Sequence, residues 1–236
     1  MNVLGCLFLE KSFQNTKKVY NSIKRVIEMD KFQVQSINRH RMYIDGKGIN
    51  TLVGLMGCPL KCQYCLNKTA LKTVHFREMT PQELADKVLI DYCYFLATGG
   101  GITFGGGEAL LHSGQIKAFR EALPKDIPIK IETSLNVAKE RLIEVADVVD
   151  EYIIDVKTMN SQIYREYTGV DNRLVIENLR FLCEKGLQKN CKIRIPNIPG
   201  FTSKEEVKES VLTIETMGFK AIEVFDYVIK EDENGE

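Results

Sequence analysis

Cys58, Cys62 and Cys65 fall within the stretch "GCPLKCQYCLN" at 57–67. Three thiols this close together suit a metal centre, because the thiolate is a soft metal ligand. A structural zinc ion wants a closed tetrahedron of four ligands. The fourth would have to be His40, His75, His112 or a distant cysteine, and none of these sits at the usual finger spacing. A [4Fe–4S] cluster is the other candidate. Three thiolates then leave one iron without a protein ligand, and an open metal position is where chemistry takes place.

The elements that must position such a loop follow from the rest of the chain. Its 236 residues are 44% hydrophobic and 27% charged, values of an ordinary globular protein. That length fits one large domain or two small ones. Lys+Arg and Asp+Glu both total 32, so the charge balance points to neither nucleic acid nor an anionic membrane. The apolar runs fall short of the roughly 20 residues that a membrane helix needs. The opening run "MNVLGCLFLEKSF" lacks a basic n-region and a small-residue cleavage site, so no signal peptide is expected. The expected compartment is the reducing cytoplasm, where clustered cysteines bind metal or do redox work. Seven cysteines are also an odd count for a disulfide framework. Cys6, Cys93, Cys183 and Cys191 have no close partner in sequence and are expected to be small buried hydrophobes.

From residue 49 onward the texture alternates. "INTLVGLM" is an apolar strand that runs into the cysteine loop. Thr80, Pro81 and Glu83 form a helix-start signal of cap, first-turn proline and capping-box acid. Leu84, Val88, Tyr92 and Phe95 continue it near helical spacing. Strands are expected at "ITF", "IPIKIET", "DEYIIDV", "CKIRIPNI" and "AIEVFDY", with helical segments between them. Such alternation predicts a parallel sheet, open or closed into a barrel. Either layout collects chemistry at the C-terminal ends of the strands. The cysteine loop, "FGGGEAL", "ETS", "DVK" and "RIPNIPG" all fall at such ends. Residues 14–37 stand apart, with an amphipathic helix carrying Val19, Ile23, Val26 and Ile27 and then the alternating "FQVQSI".

"CPLKCQYC", with aromatic Tyr64 before the third cysteine, resembles the signature of the radical S-adenosylmethionine (SAM) enzymes. "GGGITFGGGEALL" resembles their Gly-Gly-Glu segment, here Gly106, Gly107 and Glu108. Within that superfamily the chain is most similar to the glycyl radical enzyme activating enzymes. "IDGKGI", the Cys-x-Asn ending at Asn67, "IIDVKTMNSQIYREYTGV" and "IRIPNIPGF" carry that likeness in the same order. Departures from the pattern are Asn50 in place of Lys or Arg, Gly54 in place of Phe, Glu132 and Leu135 where Asp-x-x-Gly is common, and Val228 in place of an adenine-side His. The gap between Cys65 and Gly106 holds no ferredoxin-like cysteine set, so the chain resembles the short form without auxiliary clusters.

The resemblance implies an α/β fold, a partial (β/α)6 radical SAM barrel with an extra N-terminal helix and strand. Residues 1–40 would be the extension packing on the barrel, 41–228 the barrel itself and 229–236 a polar tail. The extension is expected beside the sixth barrel strand. The implied cofactors are one [4Fe–4S] cluster and SAM. In that family the reduced cluster gives one electron to the sulfonium, and the 5′-deoxyadenosyl radical so formed abstracts a hydrogen atom. Cys58, Cys62 and Cys65 would hold the cluster. Tyr64, with the backbone of Cys65 and Leu66, would lie near adenine. Gly106 and Gly107 would let the backbone approach the methionyl end, and Glu108 would meet its ammonium. Glu132, Thr133 and Ser134 would reach the ribose side. Lys157 or Arg194 would steady the SAM carboxylate, unless they pair with Asp155 instead. His112 is expected as a capping or surface residue. The implied partners are a glycyl radical enzyme as substrate and a reduced flavodoxin or ferredoxin as electron donor, with no nucleic acid and no membrane. A peptide or small-molecule substrate is the alternative.

Overall fold

The computed structural model describes residues 31–42, 44–72, 75–227 and 229. The chain divides between Lys31 and Phe32 into two units. All described residues but Lys31 belong to the second unit. The helix expected before residue 31 lies outside the described residues.

Among the described residues eight strands build one sheet: β1 (Phe32–Met42), β2 (Ile49–Leu55), β3 (Arg77–Met79), β4 (Ile102–Gly106), β5 (Ile129–Thr133), β6 (Glu151–Asp155), β7 (Cys191–Asn197) and β8 (Ala221–Asp226). Their order is β3-β1-β2-β4-β5-β6-β7-β8. From β2 to β8 every pairing is parallel, so the six expected barrel strands occur in chain order. Parallel strands are covered on both faces and read as continuous apolar runs. β4 shows this, with Ile102, Thr103, Phe104 and Gly105 all buried.

The helices are α1 (Lys68–Lys72), α2 (Pro81–Val88), α3 (Tyr92–Thr98), α4 (Ser113–Ala122), α5 (Lys139–Val145), α6 (Ser161–Thr168), α7 (Arg173–Glu184) and α8 (Lys204–Thr216). Local signals set their ends. Thr80 and Glu83 close the capping box that starts α2, and Ser203 and Glu206 close another at α8. Two first-turn donors at each helix start are thereby satisfied. Among the described residues no helix is long and apolar enough to cross a membrane.

Two expectations about the N-terminal strand are corrected. It continues to Met42, across the boundary expected at residue 40, and belongs to the same unit as the barrel. It also pairs antiparallel with β2, at the opposite end of the sheet order from β8. Packing explains the placement. Phe32 is fully buried, stacks on Phe104 at 5.4 Å and meets Phe119 edge-on at 6.1 Å. Ser36 lies opposite Gly54, and a Cβ built on Gly54 would stand 2.5 Å from the Ser36 Oγ. A phenylalanine at position 54 would collide with this added strand, which accounts for that departure from the family pattern.

Candidate active site

The cysteine loop leaves the C-terminal end of β2 and is tied down at several points. The Lys61 and Gln63 amides donate to the Thr168 and Tyr167 carbonyls at the end of α6, at 2.8 and 3.1 Å. Asn67, the residue of the Cys-x-Asn ending, donates its side-chain amide to the Gly106 carbonyl at 2.8 Å. The Cys65 amide donates to the Cys62 carbonyl at 3.3 Å, closing a turn between two of the thiols. Cys62 and Cys65 are half-buried and Cys58 is exposed.

Although Cys58 is exposed as a residue, desolvation of its sulfur pushes the thiol up to about 11. Desolvation raises Cys62 as well, against the opposing pull of the Lys157 charge. Without a metal these two thiols therefore hold their protons, and ligation would release them. The donor set is all sulfur, supplied by one short loop. Among the described residues no three His, Cys, Asp or Glu side chains converge as ligands of a single ion. Three thiols on one loop, beside a backbone that admits close approach, suit an iron–sulfur cluster.

That close approach is built into the Gly-Gly-Glu turn at the end of β4. Gly106 has φ +86°, in the left-handed region, which favours glycine. A Cβ on Gly107 would lie 2.1 Å from the Gly57 carbonyl oxygen and 2.8 Å from that of Leu55. The turn is stitched to the cysteine loop through Gly107 N–H to Leu55 O at 2.9 Å and Glu108 N–H to Gly57 O at 2.8 Å. Any side chain at Gly107 would push the two loops apart.

Glu108 sits behind this turn and is 1% exposed. Thr133 Oγ1 and the Leu110 amide donate to its Oε1, at 2.6 and 3.2 Å. The Ser134 hydroxyl and amide donate to its Oε2, at 2.6 and 2.9 Å. A carboxylate offers about four acceptor sites, so these donors fill it. Glu108, Thr133 and Ser134 thus form one closed knot, and neither the ammonium contact nor the hydroxyl–ribose contact expected of them is free in this arrangement. Leu135, next in line, is buried with φ +58°. It occupies the position where the family pattern carries glycine. Asn178 holds it by donating to the Leu135 carbonyl at 2.8 Å.

The charged residues expected at the mouth do come together, chiefly with one another. Lys157 Nζ lies 3.1 Å from Asp155 Oδ2. Arg194 lies 3.8 Å from Asp155 and 3.7 Å from Glu223, with its guanidinium 4.7 Å from the centre of the Phe225 ring. Burial works against the Lys157 charge, but the Asp155 carboxylate outweighs it and the ammonium is held charged. Glu132 is pushed up to about 7, by burial first and then by the neighbouring Asp45 and Asp155 carboxylates, with Arg194 and Arg41 opposing.

Tyr64 enters an aromatic group with Tyr167, Phe201 and Tyr227, at ring distances of 6.0, 5.9 and 6.4 Å. Leu66 is exposed. Sequence reasoning missed Tyr167, Phe201 and Tyr227 as site residues. The first two lie inside the quoted segments "YREYTGV" and "IPNIPGF", and the third lies in "FDYVIK". Their place within or beside segments that carry the family likeness was the available signal. His112 stands at the N-cap position of α4, as expected, but is not a surface residue. It is 7% exposed, makes no capping bond, stacks on Phe32 at 6.2 Å and donates through Nε2 to the Met56 carbonyl at 2.9 Å. Burial lowers its pKa. Asn50 is fully buried. It accepts from the Gly101 amide and donates to the Lys47 and Gly48 carbonyls, so it braces the loops beneath the sheet. Cys93 is exposed, against the expectation of a buried thiol, while Cys191 is buried and Cys183 half-buried.

Comparison with known proteins agrees with this geometry. The Radical SAM superfamily profile matches residues 53–214, and the chain belongs to the radical SAM superfamily. It uses the cofactors of that family, a [4Fe–4S] cluster and S-adenosylmethionine. Within the superfamily it is 31% identical over 170 residues to the pyruvate formate-lyase 1-activating enzyme of Escherichia coli (strain K12), covering 69% of this chain and 67% of that one. It is 29% identical over 240 residues to the 4-hydroxyphenylacetate decarboxylase activating enzyme of Clostridioides difficile (strain 630), covering 74% of each. The crystal structure of Streptococcus suis SuiB bound to S-adenosylmethionine shares the fold, with a TM-score of 0.58 at 21% identity. That match covers 75% of this chain and 40% of SuiB.

Proposed function

We propose that the chain is an activating enzyme for a glycyl radical enzyme. It cleaves SAM reductively and removes a hydrogen atom from the Cα of a glycine in a partner protein. The observation that carries this reading is the three-thiol loop tied to a Gly-Gly-Glu turn at the C-terminal ends of adjacent parallel strands. The curated relatives, activating enzymes by name, support the choice of substrate class. When bound, the cluster and SAM would together supply the one-electron reductive cleavage that gives methionine and the hydrogen-abstracting radical.

The protein's own residues hold, orient and exclude water. Cys58, Cys62 and Cys65 ligate the cluster. Gly106 and Gly107 admit the methionyl end. Glu108 sets the Thr133 and Ser134 hydroxyls and turns one acceptor site to the ammonium when one of them swings to the ribose. Glu132 faces the same side. Lys157 and Arg194, already beside Asp155, share their charge with the SAM carboxylate. Tyr64, Cys65 and Leu66 line the adenine side. A reduced flavodoxin or ferredoxin in the cytoplasm supplies the electron, since thiolate ligands and a low-potential cluster suit a reducing compartment.

The test mixes the reduced protein, SAM and a candidate glycyl radical enzyme and looks for a glycyl radical doublet by electron spin resonance. A doublet with stoichiometric 5′-deoxyadenosine is expected. Deuterium transfer into deoxyadenosine from a labelled small molecule, with no doublet, would overturn the assignment of substrate.

A further inference from the structure

The last barrel strand reaches back to the cysteine loop through one hydroxyl. Tyr227 follows β8, and its Oη donates to the Tyr64 carbonyl at 2.7 Å. Tyr64 lies in the turn between Cys62 and Cys65, so this bond grips the backbone between two of the three thiols. Tyr227 is itself held from behind. Its amide donates to the Asn197 carbonyl at 3.0 Å, and Asn197 donates through Nδ2 to Asp226 at 3.0 Å. Its ring packs against Tyr64, Tyr167 and Phe225.

These contacts join the two ends of the parallel sheet. The cysteine loop follows β2, the first strand of the parallel run, and Tyr227 follows β8, the last. The phenol bridges the loop and the far end of the sheet, beside the aromatic group that covers the turn.

We infer that Tyr227 is a positioning residue for the cluster, clamping the Cys62–Cys65 turn through the Tyr64 carbonyl and keeping water off it with its ring. The inference rests on the reading of the three cysteines as cluster ligands. The geometry of two thiolates then depends on a hydroxyl donated from the opposite end of the sheet. Hydrogen bonding and solvent access around cluster sulfurs tune its potential. A clamp at this point therefore acts on both retention and potential of the cluster.

The test compares the anaerobically reconstituted full chain with its Tyr227→Phe variant, which keeps the ring and removes the hydroxyl. A ferrous-iron chelator should strip iron from the variant about fivefold faster, the effect of losing one hydrogen bond of ordinary net strength. The electron spin resonance signal of the reduced cluster should shift, and the apo-protein should melt as the wild type does. Tyr227→Leu, which also removes the aromatic cover, should lose iron faster still. Wild-type stripping rate and an unchanged signal in Tyr227→Phe would overturn the clamp. So would an apo-variant that no longer melts cooperatively, since the hydroxyl would then hold the fold and not the turn. A wild type that assembles no cluster overturns the ligand assignment together with the clamp, whereas a loaded wild type indistinguishable from the variant sinks the clamp alone.

Discussion

The two ends of the parallel strands treat buried charge in opposite ways. At the N-terminal end each buried carboxylate is fully matched. Asp91 accepts a two-pronged bond from Arg39 and further bonds from His40 and Thr51. Asp45 receives a two-pronged bond from Arg41 at 2.5 and 2.8 Å. Lys130, 2% exposed, donates to the Asp45 and Lys47 carbonyls and lies 3.7 Å from Glu151. Side-chain hydrogen bonding to Arg39 accordingly holds the Asp91 carboxyl below the usual carboxylate range. At the C-terminal end the balance is incomplete. Glu132 is raised to about 7, and Asp155 Oδ1 is buried with no hydrogen-bond partner among the described residues. Matched charge fixes a fold, whereas unmatched buried charge marks where a ligand is to complete the set.

That contrast is open to attack at both ends. The largest effect is expected from Cys62→Ala, which should abolish bound iron and 5′-deoxyadenosine formation together, because a thiolate is a ligand and not packing. Iron per chain and product by chromatography measure it, and wild-type product from the variant would undo the site. Asp91→Asn should leave iron content unchanged and lower the melting temperature by about 5 °C, since Arg39 and His40 lose a charged acceptor at a buried position. A variant that keeps its melting point but loses the cluster would reverse the roles assigned to the two ends.

Glu132 gives a finer test with a definite sign. Its folded pKa of about 7 lies above the ordinary 4.5, so the unfolded chain releases this proton first as pH rises. Its contribution to stability is therefore full below about pH 4.5 and is lost by about pH 7. Glu132→Gln should remove that slope and melt about 3 °C higher than wild type at pH 8. Equal melting curves at pH 8 would show that the carboxylate is already matched. The smallest effect belongs to His112, whose pKa is lowered by burial. The unfolded chain takes up the proton first as pH falls below about 6.5, so stability drops on the acid side. His112→Gln, which keeps a donor for Met56, should flatten that acid-side drop in a thermal titration.

Much of the frame was legible in the sequence because its signals are local. Cysteine spacing, the Gly-Gly-Glu turn, the Thr80 capping box and the apolar strands each declare themselves within a few residues. Three features were not legible, because each depends on partners distant in the chain. "FQVQSI" alternates as a half-buried strand whichever edge it joins, and Phe32 meeting Phe104 and Phe119 decides the edge. Glu108 looks like a ligand-facing acid until Thr133 and Ser134, a strand away, fill it. Tyr227 is one more aromatic residue until its hydroxyl reaches the Tyr64 carbonyl. Asn50, Gly54 and Leu135 show the converse. Each departs from the family pattern and each has a tertiary reason, or in Leu135 a tertiary restraint, that only the folded chain reveals.

Leu135 carries the last consequence. A left-handed backbone disfavours every side chain by about 1–2 kcal/mol relative to glycine, yet here the side chain is fully buried. Relaxing the backbone would drag a leucine out of the core, and trimming it to glycine would open a void. The bend that carries the Thr133 and Ser134 hydroxyls is therefore stiffened by two opposing penalties, and a ligand arriving there meets a surface that yields in side-chain rotation but not in path.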